Sequence, residues 1–205
     1  RGADVDHRGD VYALGVVLYR LATGRVPYAG LKEHEATHQV LIVPPYFENL
    51  GKRLIKSPRV YIADSGLACH LLGIESETEL NKSPMLGEIF EGFIASEILK
   101  AQLNAGRRRE IYYFRDQQGL EVDFVLPQKS HGLRLVEAKA TRTPTPSMAL
   151  PMRRLATAWR DSTTTRGPLE MLLVHRPSRS AVASRALAPG VKAIPWSDFL
   201  SEMLG

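Results

Sequence analysis

The stretch from Gly119 to Ala140, GLEVDFVLPQKSHGLRLVEAKA, constrains the fold of this chain more than any other. Two apolar runs, 122–126 and 133–138, flank a polar turn short enough for the runs to pair as a hairpin. Side chains alternate between the two faces of a strand. Glu137 and Lys139 therefore share one face, and Asp123 lies near them on the neighbouring strand. Val122, Phe124 and Leu126 are expected on the opposite face, in the core. Charge placed where a strand should be buried is costly unless it is paired or binds a metal. Two carboxylates converging on one spot raise each other's pKa unless a cation separates them. Their hard oxygen donors suit Mg²⁺ or Mn²⁺. A lysine beside such an ion can orient or activate water and steady charge on a phosphate. Spacing alone also admits a plainer reading, a solvated strand face with an ordinary salt bridge.

The remaining pattern frames this hairpin. An apolar helix is expected over 10–23, closed by Gly24 and Pro27. QVLIVPPYF reads as a strand broken by Pro44 and Pro45, KRLIKSPRVYIAD as a basic strand pair, and SGLACHLLGI as a short helix capped by Asp64 or Ser65. ESETELNKSP reads as a polar loop or an exposed helix end. Positions 86–103 form the longest helical pattern, with Ile89, Phe93, Ile94 and Ile98 on its apolar face. This helix carries Glu91, the glutamate best placed to complete an acidic cluster. After the hairpin come a helix that Pro151 interrupts early, the buried strand PLEMLLVHRP, a short edge strand VKAIPW, and a terminal helix capped by Ser197. Helices and strands in this order indicate a mixed α/β domain.

Composition sets the outer bounds. At 205 residues the chain can bury a sizeable core without covalent staples. Its one cysteine, Cys69, excludes an internal disulfide and an all-cysteine metal cluster, and suits a reducing, cytoplasmic setting. No run approaches the roughly 20 apolar residues that span a bilayer, so no membrane role is expected. The net charge of +5 mildly favours a polyanionic partner. The chain opens on Arg-Gly-Ala-Asp without an initiator methionine, as a fragment or a processed product would. His34 and His38 lack an evident third ligand and read as solvated.

Asp, then Glu-x-Lys, on consecutive strands after a helix bearing a glutamate resembles the restriction-endonuclease-like superfamily, whose signature is PD-(D/E)XK. A closer resemblance runs from about residue 39 to 205. PPYFENLGKRLIKSPRVYIADSGLACHLLGI, GEIFEGFIASEIL, YYFRDQQGLEVDFVL and LVEAKA are similar to the uncharacterised C-terminal domain of bacterial and archaeal AAA-type ATPases. The resemblance implies a restriction-endonuclease-like mixed sheet flanked by helices over 36–205. It puts Glu91, Asp123, Glu137 and Lys139 on the catalytic positions, with Asp123, Glu137 and Glu91 toward a Mg²⁺ or Mn²⁺ ion. It also implies an attached AAA-type ATPase in full-length relatives. Val122 stands where the signature usually has proline. No G-x-x-x-x-G-K-[ST] occurs in the chain, so it carries no ATPase of its own.

VDHRGDVYALGVVLYRLATGRVPYAG, within 1–33, resembles a large-lobe helix and turn of bacterial serine/threonine protein kinases. The glycine loop, its lysine and the Asp-Phe-Gly motif are missing, so this remnant is not a competent kinase. DNA is the expected partner. Lys52, Arg53, Lys56, Arg59 and Arg115 are the candidate phosphate contacts, interleaved with Tyr46, Phe47 and Tyr61. A solvated basic strand pair, and for Arg115 a salt bridge to Asp116 or Glu121, are the alternatives. The resulting expectation is a divalent-metal nuclease-like DNA-binding module; the alternative is a non-catalytic module that binds nucleic acid or protein for regulation.

Overall fold

The computed structural model describes residues 40–46, 57–162, 167–177 and 185–204. The kinase-like helix, His34, His38, Lys52, Arg53 and Lys56 lie outside the described residues. A six-stranded mixed sheet forms the centre, in the order β3-β4-β5-β6-β8-β7. Its strands are β3 (Tyr112–Arg115), β4 (Glu121–Gln128), β5 (Gly132–Lys139), β6 (Leu169–His175), β7 (Arg185–Ala188) and β8 (Val191–Pro195). The pairs β3–β4 and β4–β5 are antiparallel, β5–β6 and β6–β8 are parallel, and β7 returns antiparallel to β8. A separate two-stranded sheet pairs β1 (Val40–Val43) with β2 (Arg59–Ile62).

Helices cover both faces of the large sheet. The helices are α1 (Ser65–Leu71), α2 (Glu77–Lys82), α3 (Leu86–Asn104), α4 (Leu150–Ser162) and α5 (Trp196–Leu204). Strand β6 shows how one sequence serves two cores. Leu172 and Val174 meet Ile94 and Ile98 of α3 and Phe199 of α5. Met171 and Leu173 join Met152, Leu155 and Trp159 of α4 on the other face. Burial on both faces explains the near-continuous apolar run of this strand.

Several local expectations change in the fold. VKAIPW is no edge strand: β8 lies between β6 and β7, and β7 is the edge. Arg59–Ile62 pairs with Val40–Val43, and positions 52–56, the other half of the expected basic strand pair, lie outside the described residues. ESETELNKSP contains the helix α2, which Ser76 and Glu79 start with a reciprocal capping box. Pro151 sits in the first turn of α4, where its missing N–H costs no intrahelical bond. Helix α5 begins at Trp196, so Ser197 lies inside it. Asp64 does cap α1, accepting from the backbone N–H groups of Gly66 and Leu67.

Val122 also departs from expectation. Phe124 and Leu126 enter the core under α3, but Val122 joins Val125 in the core under α4. The cause is a register shift in the β3–β4 pairing, where Tyr112 faces Val125 and Phe114 faces Val122. A shift of this kind turns a strand locally and re-aims its side chains. It falls on Asp123 and its neighbours.

Candidate functional site

The site lies where the start of β4, the end of β5, helix α3 and strand β2 meet. A tight turn delivers the first acid. Asp116 is buried, and its Oδ1 accepts from the backbone N–H groups of Gln118 and Leu120 at 2.9 Å each. Gly119 takes φ +85°, which a side chain would resist. The chain thus turns sharply into β4, and the alternation of Glu121 and Asp123 follows.

Asp123 and Glu137 are 3% and 4% exposed, and each meets a cation. Lys139 Nζ lies 2.7 Å from Glu137 Oε1 and 3.5 Å from Asp123 Oδ2. The backbone N–H of Ala138 donates to the same Asp123 oxygen at 3.0 Å. Arg59 reaches in from β2. Its Nη1 lies 3.2 Å from Asp123 Oδ1 and 3.7 Å from Glu91 Oε2, and its Nη2 pairs with Glu121. The guanidinium lies over the Tyr113 ring, 5.2 Å from its centre. Tyr61 donates its hydroxyl toward Glu91 at 3.5 Å and packs on Phe124. Among the described residues, Glu137 Oε2 is buried without a hydrogen-bond partner.

These surroundings set the charges. Burial alone would raise the Asp123 pKa, but Lys139, Arg59 and the Ala138 N–H overcome it and hold the carboxyl below its ordinary value. For Glu137, burial and the neighbouring Asp123 charge outweigh Lys139 and push it up to about 8. Burial opposes the charged form of Lys139, yet Asp123 and Glu137 raise its pKa and keep the ammonium protonated. Tyr61 is raised chiefly by burial and stays a neutral donor.

The acids open onto a cleft of about 580 Å³. Gln118, Gly119 and Leu120 of the turn line one side, and Leu150, Pro151 and Arg154 of α4 line another. Glu121, Asp123, Glu137 and Lys139 line it as well. The donors are hard oxygens, and the orphaned Glu137 Oε2 lacks only a cation or a proton donor, so the pair fits Mg²⁺ or Mn²⁺ in kind. Among the described residues, no three histidine, cysteine, aspartate or glutamate side chains converge into a ready metal cage. The guanidinium of Arg59 stands between Asp123 and Glu91.

Residues 86–196 match the profile of a family described as a domain of unknown function, DUF4143. The chain belongs to the DUF4143 family. Residues 35–78 match a second family, also described as a domain of unknown function, DUF8612. Uncharacterized proteins of Mycobacterium bovis and of Mycobacterium tuberculosis are each 39% identical to this chain over 111 residues, which is 53% of the chain and 23% of the relative. The chain thus matches under a quarter of the length of these curated relatives. A serine/threonine-protein kinase of Myxococcus xanthus, Pkn1, is 48% identical over 46 residues, 22% of this chain and 7% of the kinase, in keeping with the kinase-like reading of the N-terminal segment. No solved structure matches the chain.

The DUF4143 segment supplies Glu91, Asp123, Glu137 and Lys139, and the structure brings all of them to one cluster. Arg59 comes from the DUF8612 segment and turns inward to the acids. Arg115 lies at the rim, 3.4 Å from Glu121. Glu121, Tyr61 and Arg154 join the site without having been expected as catalytic or metal-binding residues. Glu-x-Asp alternation in GLEVDF carries a signal for Glu121, since both acids must share a strand face. Nothing in the local pattern around Arg154 sets it apart from its neighbour Arg153. Among the described residues, no helix is long and apolar enough to cross a membrane.

Proposed function

We propose that the cleft is the site of a divalent-metal-dependent, nuclease-like module acting on DNA, with the restriction-endonuclease-like arrangement that the sequence resembles. One observation carries the reading: Asp123 and Glu137, buried on adjacent strands, share the Lys139 ammonium at an open cleft, with one Glu137 oxygen left without a partner. Asp123 and Glu137 are the residues to hold Mg²⁺ or Mn²⁺, and Glu91 is the third candidate. When bound, the ion polarises a phosphoryl oxygen and lowers the pKa of water. Without metal, Asp123 and Glu137 keep Lys139 protonated, as a donor that can orient water or neutralise a phosphate oxygen. Arg154 and Arg115 flank the acids as cations for the phosphate backbone. In longer relatives the module is proposed to work beside an AAA-type ATPase region.

The test is cleavage of plasmid and branched DNA with Mg²⁺, Mn²⁺ or EDTA. Asp123→Asn and Lys139→Met should each lower metal-dependent cleavage on the order of 100-fold or more while DNA is still bound. DNA affinity should fall with salt at a log–log slope of roughly −0.9 per phosphate contact. Arg59 favours a second reading, a binding module without catalysis, because it fills part of the acidic cluster with a protein cation. Salt-sensitive DNA binding without metal-dependent cleavage would select that reading, and the absence of both would remove nucleic acid from the account.

A further inference from the structure

The two cations in the cluster differ in origin. Lys139 belongs to the same sheet as Glu121, Asp123 and Glu137. Arg59 belongs to the separate β1–β2 sheet, in a segment matching a different family. That small sheet meets the large one through its core face, where Leu41 and Val43 are buried with Ile94, Tyr113 and Phe124, and through hydrogen bonds to β3. Tyr46 N–H donates to Tyr113 O at 2.7 Å, Tyr113 N–H donates to Pro44 O at 3.1 Å, and the Tyr113 hydroxyl donates to Ser57 O. Tyr61 rests over Gly92 of α3, where an added Cβ would sit 3.6 Å from its side chain. The planar guanidinium ends in the middle of Asp123, Glu91 and Glu121 and meets all three. A fork of fixed donors is well suited to hold several carboxylates at once. Glu137 Oε2, by contrast, faces the same cluster with no donor of its own among the described residues.

We infer that Arg59 is a tethered internal counter-ion that occupies the carboxylates a divalent cation would take, so that metal binding and the seating of its guanidinium compete. The inference rests on the metal-dependent reading above. Its physics is simple. A divalent ion bound at Asp123 sits within a few ångströms of the present guanidinium, and like charges at that range repel strongly in a low-dielectric site. Arg59 must then turn out of the cluster, and it loses its ring contact with Tyr113 as it does. Glu91 and Glu121 then lose their guanidinium partner, while Tyr61 still donates to Glu91 and Arg115 still pairs with Glu121. The β1–β2 sheet stays anchored by Leu41 and Val43 in the core, and the Arg59 guanidinium is the part that yields when metal enters.

The test is Mn²⁺ binding to the full chain, read as loss of the free Mn²⁺ signal by electron paramagnetic resonance. Arg59→Gln should bind Mn²⁺ at least about tenfold more tightly than the unaltered chain. Arg115→Gln removes the same charge from the far side of Glu121 and should tighten binding by less than about threefold, since exposed charges are screened. If the unaltered chain binds Mn²⁺ and Arg59→Gln binds it equally or less well, Arg59 positions the carboxylates and the competition is wrong, while the metal site stands. If neither retains Mn²⁺, the metal site itself is wrong and the competition falls with it. Should Arg59→Gln not fold, hydrogen exchange on the unaltered chain decides. Mg²⁺ at concentrations that displace Mn²⁺ should speed exchange of the amides of 59–62 severalfold. Unchanged or slowed exchange would overturn the inference.

Discussion

Strand β5 carries an ion pair near each end, and the two ends behave differently. Near its start, Arg134 faces Glu170 directly across the parallel β5–β6 register, with Nε 2.5 Å from Oε2. The glutamate is 43% exposed, and one cation meets one anion. Near its finish, Glu137 and Lys139 lie among Asp123, Glu121, Glu91 and Arg59, where acids outnumber bases and Asp123 and Glu137 are buried at the edge of the cleft. The residue types are alike; the surroundings are not. A balanced pair whose acid reaches solvent, though its arginine is only 18% exposed, is a register mark of little energy. A buried unbalanced cluster costs stability to maintain, and such cost tends to collect at sites that do chemistry.

Breaking the buried end should have the largest effect. Asp123→Ala leaves Arg59, Lys139 and the Ala138 N–H without their shared acceptor, and it should destabilise the protein by about 3–5 kcal/mol in urea denaturation. A loss below about 1 kcal/mol would mean that the cluster is wetter than its burial indicates.

The next effect sharpens the contrast through pH. Glu137 has a folded pKa of about 8, above its ordinary 4.5. Its contribution to stability is complete below 4.5 and is lost as pH rises through 8. With EDTA present, stability should therefore decline from about pH 5 to above pH 8. Glu137→Gln should flatten this decline and be more stable than the unaltered chain near pH 9, by on the order of 2–3 kcal/mol. Asp123 acts in a separate window: its lowered pKa contributes stability that is present above its ordinary 3.8 and lost as pH falls further. An unchanged pH slope in Glu137→Gln would assign the decline to another group.

The smallest effect belongs to the balanced end. A double-mutant cycle on Arg134 and Glu170 should give a coupling of about 0.2–1 kcal/mol that shrinks with salt and ignores Mn²⁺. A coupling of several kcal/mol would erase the distinction between the two ends.

What the sequence reveals follows the same contrast. Strict alternation is enough to join Glu137 with Lys139 and to bring Asp123 near, because a hairpin allows few other arrangements. The long α3 pattern is enough to present Glu91 toward the sheet. Alternation fails at Val122, where the β3–β4 register shift sends it to the other core, since a bulge depends on the partner strand. The interior position of β8 is hidden for a similar reason: its neighbour β7 is a short strand, RALA, with little pattern of its own. Arg59 is the deepest miss in placement. It stands among other basic residues and reads as a surface phosphate contact, yet it folds onto acids 32 and more positions away. No local pattern encodes a contact made by packing one sheet against another.

The most direct measurement is anomalous diffraction from crystals soaked in Mn²⁺. A manganese peak on the carboxylates of Asp123 and Glu137, with Arg59 turned away from Asp123, is the predicted result. Saturating Mn²⁺ that leaves no peak there, with Arg59 and Lys139 still paired to Asp123, would contradict a metal-dependent site in this cleft.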